Sequence, residues 1–463
     1  MEPLIFLPQN DTGMAERVLH LYRDRYRYRV GLGWMVWQGT HWAQDRSCSL
    51  IEAINATVER CKALADQLDP SGGDRSDQAK FLRWCSSRQS TAALYAVERR
   101  LQTWMGVATA DGWDGNAYAL THRDGTVDLR TGQLRSHTPD DLITVCAPAA
   151  EVFSTQLGDS RWGQFLREIM PSDDLRAYLQ RAIGSSLVGR QIDHAVFVAH
   201  GTGRNGKGTL FRAVANAVGP YYSAIPSTLL IEKGQQPHPT EIADLAGKRL
   251  VVSAEVPAGQ RLDENKLKEL SGGDRIKARF MGKDFFEFAP SHTLWICCNE
   301  RPRVTATDNG TWRRIRVIPF ATTIPVESID RWLDDRLEAE RDIVLTWCLE
   351  GARQYLEQGL GTCPEVEQAT GSYREEEDVL AMALAETCKI GEYEYDTTRR
   401  IHTAISNWYA DNGYRRQAPP IPVLGRELTK RGYGSRTDGQ SRYRTGLSVK
   451  GDWAASGDDR RWH

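Results

Sequence analysis

The sequence predicts an α/β core set between a mixed α+β region and a small basic C-terminal module. Three observations predict it. From His194 to about Phe320, apolar runs of strand length alternate with stretches of helical spacing. One of those runs leads through a glycine-rich turn, GTGRNGKG (201–208), into a segment with apolar positions at 210, 214 and 218, closed by Gly-Pro. Finally, the net charge of −2 is unevenly spread: from Arg399 to the end there are 13 Lys and Arg against 6 Asp and Glu, a local net of +7 that leaves −9 for the rest.

A length of 463 residues calls for two or three domains in series, and 40% apolar with 26% charged residues is the balance of a soluble globular protein. No run approaches the roughly 18 apolar residues of a membrane span, and the start, MEPLIFLPQNDTG, lacks a basic region followed by an apolar one, so a cytoplasmic protein without membrane contact is expected. The nine cysteines form no C-x-x-C pair or Cys/His cluster at zinc spacing, which predicts free thiols and no structural metal.

Along the chain, residues 1–160 read as a mixed α+β domain. YRDRYRYRV (22–30) alternates Tyr and Arg, the pattern of a half-exposed strand, which could also stack bases and hold phosphates. GWMVWQGTHW (33–42) predicts a hairpin with Trp34, Trp37 and Trp42 in the core; helical spacing runs from Ser49 to Met105, and short strands with Asp-Gly and Thr-Gly turns occupy 122–141. A helical segment (161–190) leads into the core at 191–325. More helix follows over 326–390, then the basic module at 395–463.

The strand–turn–helix context of GTGRNGKG is the one a phosphate-binding P-loop requires. Gly201, Gly203 and Gly206 let backbone N–H groups converge on an anion at a helix N-terminus, and Thr202, Arg204 and Asn205 complete the turn; Lys207 reaches the β- and γ-phosphates. ATP with Mg2+ is the expected ligand. The eighth position, usually Ser or Thr for the metal, is Gly208, so Thr209 is the metal candidate, with Glu255. The same glycines fit a dinucleotide fingerprint, but no Asp or Glu stands between Lys207 and Ile231 to hold a ribose, which argues against a nicotinamide or flavin.

Downstream, GKRLVVSAE (247–255) reads as a buried strand ending in Glu255, placed to polarise water or hold the metal, with Ala254 where a second acid often stands. HTLWICCNE (292–300) ends in Asn299, whose amide can orient water against the γ-phosphate; otherwise it is a turn residue. GTWRRIRVIPF (310–320) places Arg313 and Arg314 before a strand, as an arginine finger from a neighbouring subunit or as a surface pair. DRIKARFMGKDFFEFAP (274–290) predicts a hairpin tipped by Lys283, suited to gripping a phosphate backbone or simply structural.

In this order, GTGRNGKGTL, VVSAE, KLKELSGGDRIKAR, CCNE and TWRRIRVIPF resemble the superfamily III helicases of the phage and plasmid primase family, which includes the poxvirus primase-helicase. VDLRTGQL, WGQFLREIM and EQATGSYREEEDVL extend the resemblance to nearly the whole chain. It implies an AAA+-like P-loop NTPase fold and an ATP-dependent hexameric helicase that encircles one strand and moves 3′ to 5′ on single-stranded or forked DNA, in a host cytoplasm. By the same resemblance Lys207 binds phosphate, Glu255 is the acid, Asn299 senses the γ-phosphate, Arg314 (or its neighbour Arg313) is the finger, and Lys283 touches DNA. With no zinc ribbon and no acidic cluster for nucleotidyl transfer, priming is expected from a separate primase.

The C-terminal sequence (397–450) suggests helix, helix and a two-stranded wing, resembling a winged helix, with Arg426, Lys430 and Arg431 on a recognition helix and Arg442 and Arg444 on the wing as DNA contacts. Two other functions remain open on sequence: an initiator that binds a defined duplex site with its ATPase as a switch, and a P-loop kinase acting on a small molecule.

Overall fold

The computed structural model describes residues 3–71, 73–107, 112–152, 158–232, 239–282, 284–304, 309–413, 418–439 and 441–454. Two compact units divide the chain, Met1–Gly371 and Ser372–His463.

In the first unit, helix α1 (Asp11–Tyr22) starts where the Asn10 side chain accepts from the Gly13 amide at 2.8 Å. Strands β1 (Tyr26–Arg29), β2 (Gly33–Trp37) and β3 (Trp42–Gln44) follow, then helices α2 (Ser49–Leu64), α3 (Asp77–Ser87) and α4 (Thr91–Trp104), the last two capped by Ser76 and Ser90, and strand β4 (Gly106–Val107). The sheet order is β3-β2-β1-β4, and the helices cover one face with a core that includes Met14, Val18, Ile54, Phe81 and Leu101. The expected 33–42 hairpin is present. Trp42 is fully buried, whereas Trp34 and Trp37 are only half-buried. A small antiparallel sheet, β5 (Ala119–His122), β6 (Gly125–Asp128) and β7 (Leu134–Arg135), precedes helices α5 (Arg161–Ile169) and α6 (Asp173–Ser185).

The centre of the unit comprises β8 (Val196–His200), α7 (Lys207–Val218), β9 (Tyr222–Ile225), α8 (Pro239–Ala243), β10 (Leu250–Ser253), α9 (Glu264–Leu270), β11 (Ile276–Ala278), β12 (Phe286–Phe288), β13 (Thr293–Cys298), α10 (Asn309–Trp312) and β14 (Ile315–Pro319). β11 and β12 form an antiparallel pair, as the sequence predicts, but Lys283 lies outside the described residues. β8, β9, β10, β13 and β14 form one parallel sheet in the order β14-β8-β13-β10-β9. Burial on both faces explains why these strands read as continuous apolar runs. Helices α11 (Leu333–Ala339), α12 (Arg341–Gln358) and α13 (Pro364–Glu376) follow. The α12 and α6 backbones meet closely: a Cβ at Gly184 would lie 2.1 Å from the Ala352 amide nitrogen, and one at Gly351 2.1 Å from the Gln180 carbonyl oxygen.

Below β10, Arg249 is a buried cation held by carbonyls: it donates to Leu187 O and Ala119 O, both at 2.6 Å, and lies 5.0 Å over the Tyr221 ring. The Tyr221 hydroxyl accepts from the Thr121 amide at 2.9 Å. His292, just before β13, is fully buried, and burial pushes its imidazole down to about 4. The unfolded chain then binds a proton that the folded chain refuses, so this contribution is complete above about pH 6.5 and is lost as pH falls towards 4. Urea unfolding at pH 7 and pH 5 should therefore show a loss smaller by about 2 kcal/mol in His292→Gln than in wild type; equal losses would exclude His292 as the acid-sensitive group.

The second unit runs α14 (Val379–Thr387), β15 (Cys388–Thr397), α15 (Thr398–Asp411), α16 (Ile421–Lys430), β16 (Gly434–Asp438), β17 (Ser441–Val449) and α17 (Gly451–Ala454). Its sheet order is β15-β17-β16, over a core including Leu384, Ile401, Ile405, Leu424, Leu428 and Leu447. Helix α13 carries the chain across the division between the units.

Candidate functional site

β8 ends at His200, and the chain turns back through Gly201–Gly206 before α7 begins at Lys207. The turn needs its glycines. Gly203 and Gly206 have φ of 99° and 79°, and a Cβ on Gly206 would lie 2.4 Å from Ile169 Cγ2. At Gly201 a Cβ would fall 2.3 Å from the Phe320 carbonyl oxygen. The segment after β14 braces the turn from outside, with the Ile324 amide donating to Arg204 O at 2.8 Å and the buried Asn205 amide to Phe320 O at 3.4 Å. The first amides of α7 have no intrahelical acceptor, and the helix dipole adds positive potential there.

Lys207 is 7% exposed. Its Nζ donates to Gly201 O at 2.6 Å and to Asn299 Oδ1 at 3.1 Å, while Asn299 Nδ2 donates to Glu255 Oε1. Burial lowers the Lys207 pKa, partly offset by the Cys297 and Cys298 thiols and the Glu255 carboxylate. The turn after β8, the residue after β13 and the segment after β10 thus deliver three candidates to one place, at the carboxyl ends of parallel strands where α/β sheets bind ligands. An open cleft of about 460 Å³ runs along them, lined by Gly203–Thr209, Arg212, Glu255, Cys297, Cys298 and Asn299. A second hollow, of about 470 Å³, continues from Glu255 and Asn299 to Pro257 and Glu300.

Of the metal candidates, Thr209 is half-buried on the cleft wall and Glu255 is exposed. Gly208 faces open space, with nothing within 4 Å of a Cβ. Thr202 sits exposed on the turn. Sequence reasoning missed Arg212, on the cleft rim one and a half turns after Lys207, where it pairs with Asp334 of α11 at 3.3 Å. Only the helical spacing from Lys207 could have flagged it.

Arg313 and Arg314 stand apart from this group. The Arg314 carbonyl accepts from Val196 at the start of β8, while the cleft opens beyond its end. Five residues of strand at ~3.3 Å each put them about 16 Å from the turn, at the far edge of the sheet. Arg313 is exposed; Arg314 is half-buried, and burial lowers its pKa, with Arg313 adding to the effect.

In the second unit, Arg426 and Lys430 are exposed on α16, Lys430 pairing with Glu427 at 2.7 Å, and Arg442 is exposed on β17. Arg431 pairs with Asp378 at 2.8 Å. Arg444 departs from expectation. It is 2% exposed and donates to Thr429 Oγ1 at 2.7 Å and Gly425 O at 2.6 Å, a structural cation under α16 and not a surface contact. Arg442 and Arg444 share one face of β17, but only Arg442 lies beside the turn that joins β16 to β17.

Residues 15–171 match the family described as D5 N terminal like, and residues 199–314 match a family of unknown function, DUF5906. The chain is 27% identical over 328 residues to "Putative helicase L207/L206" of Acanthamoeba polyphaga mimivirus, covering 65% of this chain and 34% of that protein. It is 28% identical over 275 residues to "Putative helicase 022R" of Frog virus 3, covering 54% and 28%. To "Putative primase C962R" of African swine fever virus (isolate Tick/Malawi/Lil 20-1/1983) it is 24% identical over 271 residues, covering 53% and 28%. The chain thus spans well under half the length of these curated relatives. Its fold is similar to that of the NrS-1 C terminal region, at a TM-score of 0.52 and 10% identity over 94% of this chain and 98% of that one. Among the described residues no helix is long and apolar enough to cross a membrane. The chain is thus similar, over its N-terminal third, to the D5 N terminal like family and, over half or more of its length, to proteins of large DNA viruses that carry the names putative helicase and putative primase.

Proposed function

We propose that this chain is the ATP-driven motor of a replication helicase that works on single-stranded and forked DNA as a ring, hexameric as the family resemblance implies, alongside a separate primase. One observation carries the reading: Lys207, Asn299 and Glu255 meet in hydrogen-bonding contact beside a glycine-rich turn, at the carboxyl ends of strands in one parallel sheet. The turn amides and Lys207 bind the β- and γ-phosphates of ATP. Asn299 holds the attacking water in line, and Glu255 accepts its proton. The Thr209 hydroxyl and the Glu255 carboxylate are hard oxygen donors, few in number, which suits Mg2+ since it keeps waters and substrate phosphates in its shell. Mg2+ would supply charge neutralisation between the phosphates.

Arg313 and Arg314 lie too far along the sheet to reach the cleft of their own chain, so a finger role requires a neighbouring copy and a head-to-tail assembly. The helix–strand–helix–helix–strand–strand order of the second unit is that of a winged helix, and Arg426, Lys430 and Arg442 offer its exposed cations to DNA. Lys283 would add a contact from the β11–β12 hairpin.

The test is steady-state ATP hydrolysis with and without single-stranded DNA, strand displacement on a labelled fork, and mass photometry on the same samples. The motor reading expects DNA-stimulated hydrolysis, displacement and rings. DNA-independent hydrolysis by a monomer would instead favour a small-molecule kinase. Protection of a defined duplex site without displacement would favour an initiator.

A further inference from the structure

The Tyr-Arg strand near the N-terminus takes no part in the ATP site. Its two residue types separate cleanly across β1. On the helix-covered side Tyr26 is buried, and Tyr28 packs edge-on against Trp34 at 5.3 Å. On the other side the Arg27 guanidinium lies over the Trp42 ring at 5.6 Å and that of Arg29 over Trp113 at 5.5 Å. The register places Met35 opposite Arg27, so the half-buried Trp37, two residues on, shares the arginine face. Trp37 packs against Trp42 at 5.6 Å. Exposed Arg25 stands at the entry to the strand, its carbonyl accepting from Trp37 N at 2.8 Å.

These cations are held by rings and backbone, not by acids. Arg27 donates to the carbonyls of Arg23 and Tyr26, and neither Arg27 nor Arg29 forms an ion pair with a described residue. The acids around them are engaged elsewhere or stand at a distance. Asp114 accepts from the Thr144 amide and hydroxyl, both at 2.7 Å; Asp141 is bidentate with Arg135; Asp24 lies beside Arg23; Asp24 and Asp140 act on Arg27, and Asp114 on Arg29, only through their charge. Partly desolvated guanidiniums with no acid in contact favour an anion from outside. Side chains two apart on a strand repeat every ~6.7 Å, which makes a linear track and not a single pocket.

We propose that the arginine face of β1–β3 is a binding track for single-stranded nucleic acid, with Arg25, Arg27 and Arg29 on successive phosphates and Trp37 against a base. Exposed Arg25 and the half-buried Arg27, Arg29 and Trp37 stay partly accessible on a face whose centre, Met35, Trp42 and Trp113, is buried; alternating cations beside an aromatic match the chemistry of a polyanion with stackable bases, whereas a lone phosphate or nucleotide would occupy one arginine. The track rests on the reading that this chain handles nucleic acid, but not on the ATP cleft.

The test is fluorescence anisotropy of a labelled oligo(dT) with the full chain, without nucleotide, across a salt titration. Arg27→Ala/Arg29→Ala should reduce the slope of log affinity against log salt by about 1.4 and weaken binding roughly 50-fold at 50 mM salt. Since loss of Arg29 exposes Trp113 and can disturb the sheet, Arg25→Glu at an exposed position is the second variant, with a slope reduced by at least ~0.7. DNA-free, Lys207-dependent ATP hydrolysis should be unchanged in both. Wild-type slopes in both variants, with ATP hydrolysis by the wild type still stimulated by DNA, would overturn the track and leave the motor reading standing. No oligo(dT) binding by the wild type would overturn both.

Discussion

Lys207→Ala is expected to fold normally and to lose about 10²–10³-fold in ATP hydrolysis, the scale of removing one preorganised charge from a phosphoryl-transfer site. Two features separate this from a general loss of structure. Burial already lowers the Lys207 pKa, so its charged form is disfavoured in the empty site, and removing it should leave the melting temperature of the nucleotide-free protein unchanged or slightly higher. In addition, ATP at about 100 times its Kd should stabilise the wild type by about 2.7 kcal/mol and the variant far less. Hydrolysis assays and thermal melts with and without ATP measure both. A variant that keeps both its rate and its ATP-dependent stabilisation would remove Lys207 from the site.

Arg314→Ala should cost about 10³-fold in hydrolysis although it lies far from the cleft of its own chain. The informative experiment mixes the two inactive proteins. If Arg314 acts across a head-to-tail contact, a copy carrying Arg314→Ala still has an intact Lys207, and a copy carrying Lys207→Ala still has an intact Arg314. In an equimolar mixture about a quarter of the contacts then combine both intact groups, and a comparable share of wild-type activity returns. Activity that stays at the sum of the separate proteins would mean that Arg314 acts within its own chain or only structurally. The same mixture made with Arg313→Ala tells which of the neighbouring arginines acts.

Much of the central layer was legible in the sequence because its physical causes are local. Continuous apolar runs mark doubly covered strands, and the glycine spacing at 201, 203 and 206 reflects a turn with positive φ at 203 and 206 and no room for a Cβ at 201 and 206. The contacts among Lys207, Asn299 and Glu255 could be anticipated as an order along the chain but not as hydrogen bonds, since they depend on how the strands are arranged across the sheet. Arg212 escaped because its partner, Asp334, lies more than a hundred residues on. Arg444 departs from expectation for the opposite reason: charge type alone suggests a surface, while the helix α16 covers that part of the face of β17 and takes the guanidinium on Thr429 and Gly425. The Tyr-Arg alternation correctly indicated a two-sided strand, yet the rings that hold its arginines come from Trp42 and Trp113, invisible to local pattern.

The guanidinium of Arg249 constrains how this protein can be cut. It sits at the root of the strand leading to Glu255, and its carbonyl partners belong to residues 119 and 187, well upstream of the glycine-rich turn. A fragment trimmed to begin at the first strand of the parallel sheet would carry that cation into its interior with those acceptors gone, a defect of about 3–5 kcal/mol. The catalytic layer therefore borrows its foundation from sequence outside itself. A minimal expressible piece must start ahead of Asn116, and exchanging this layer between related proteins would succeed only if the short β5–β7 sheet travels with it.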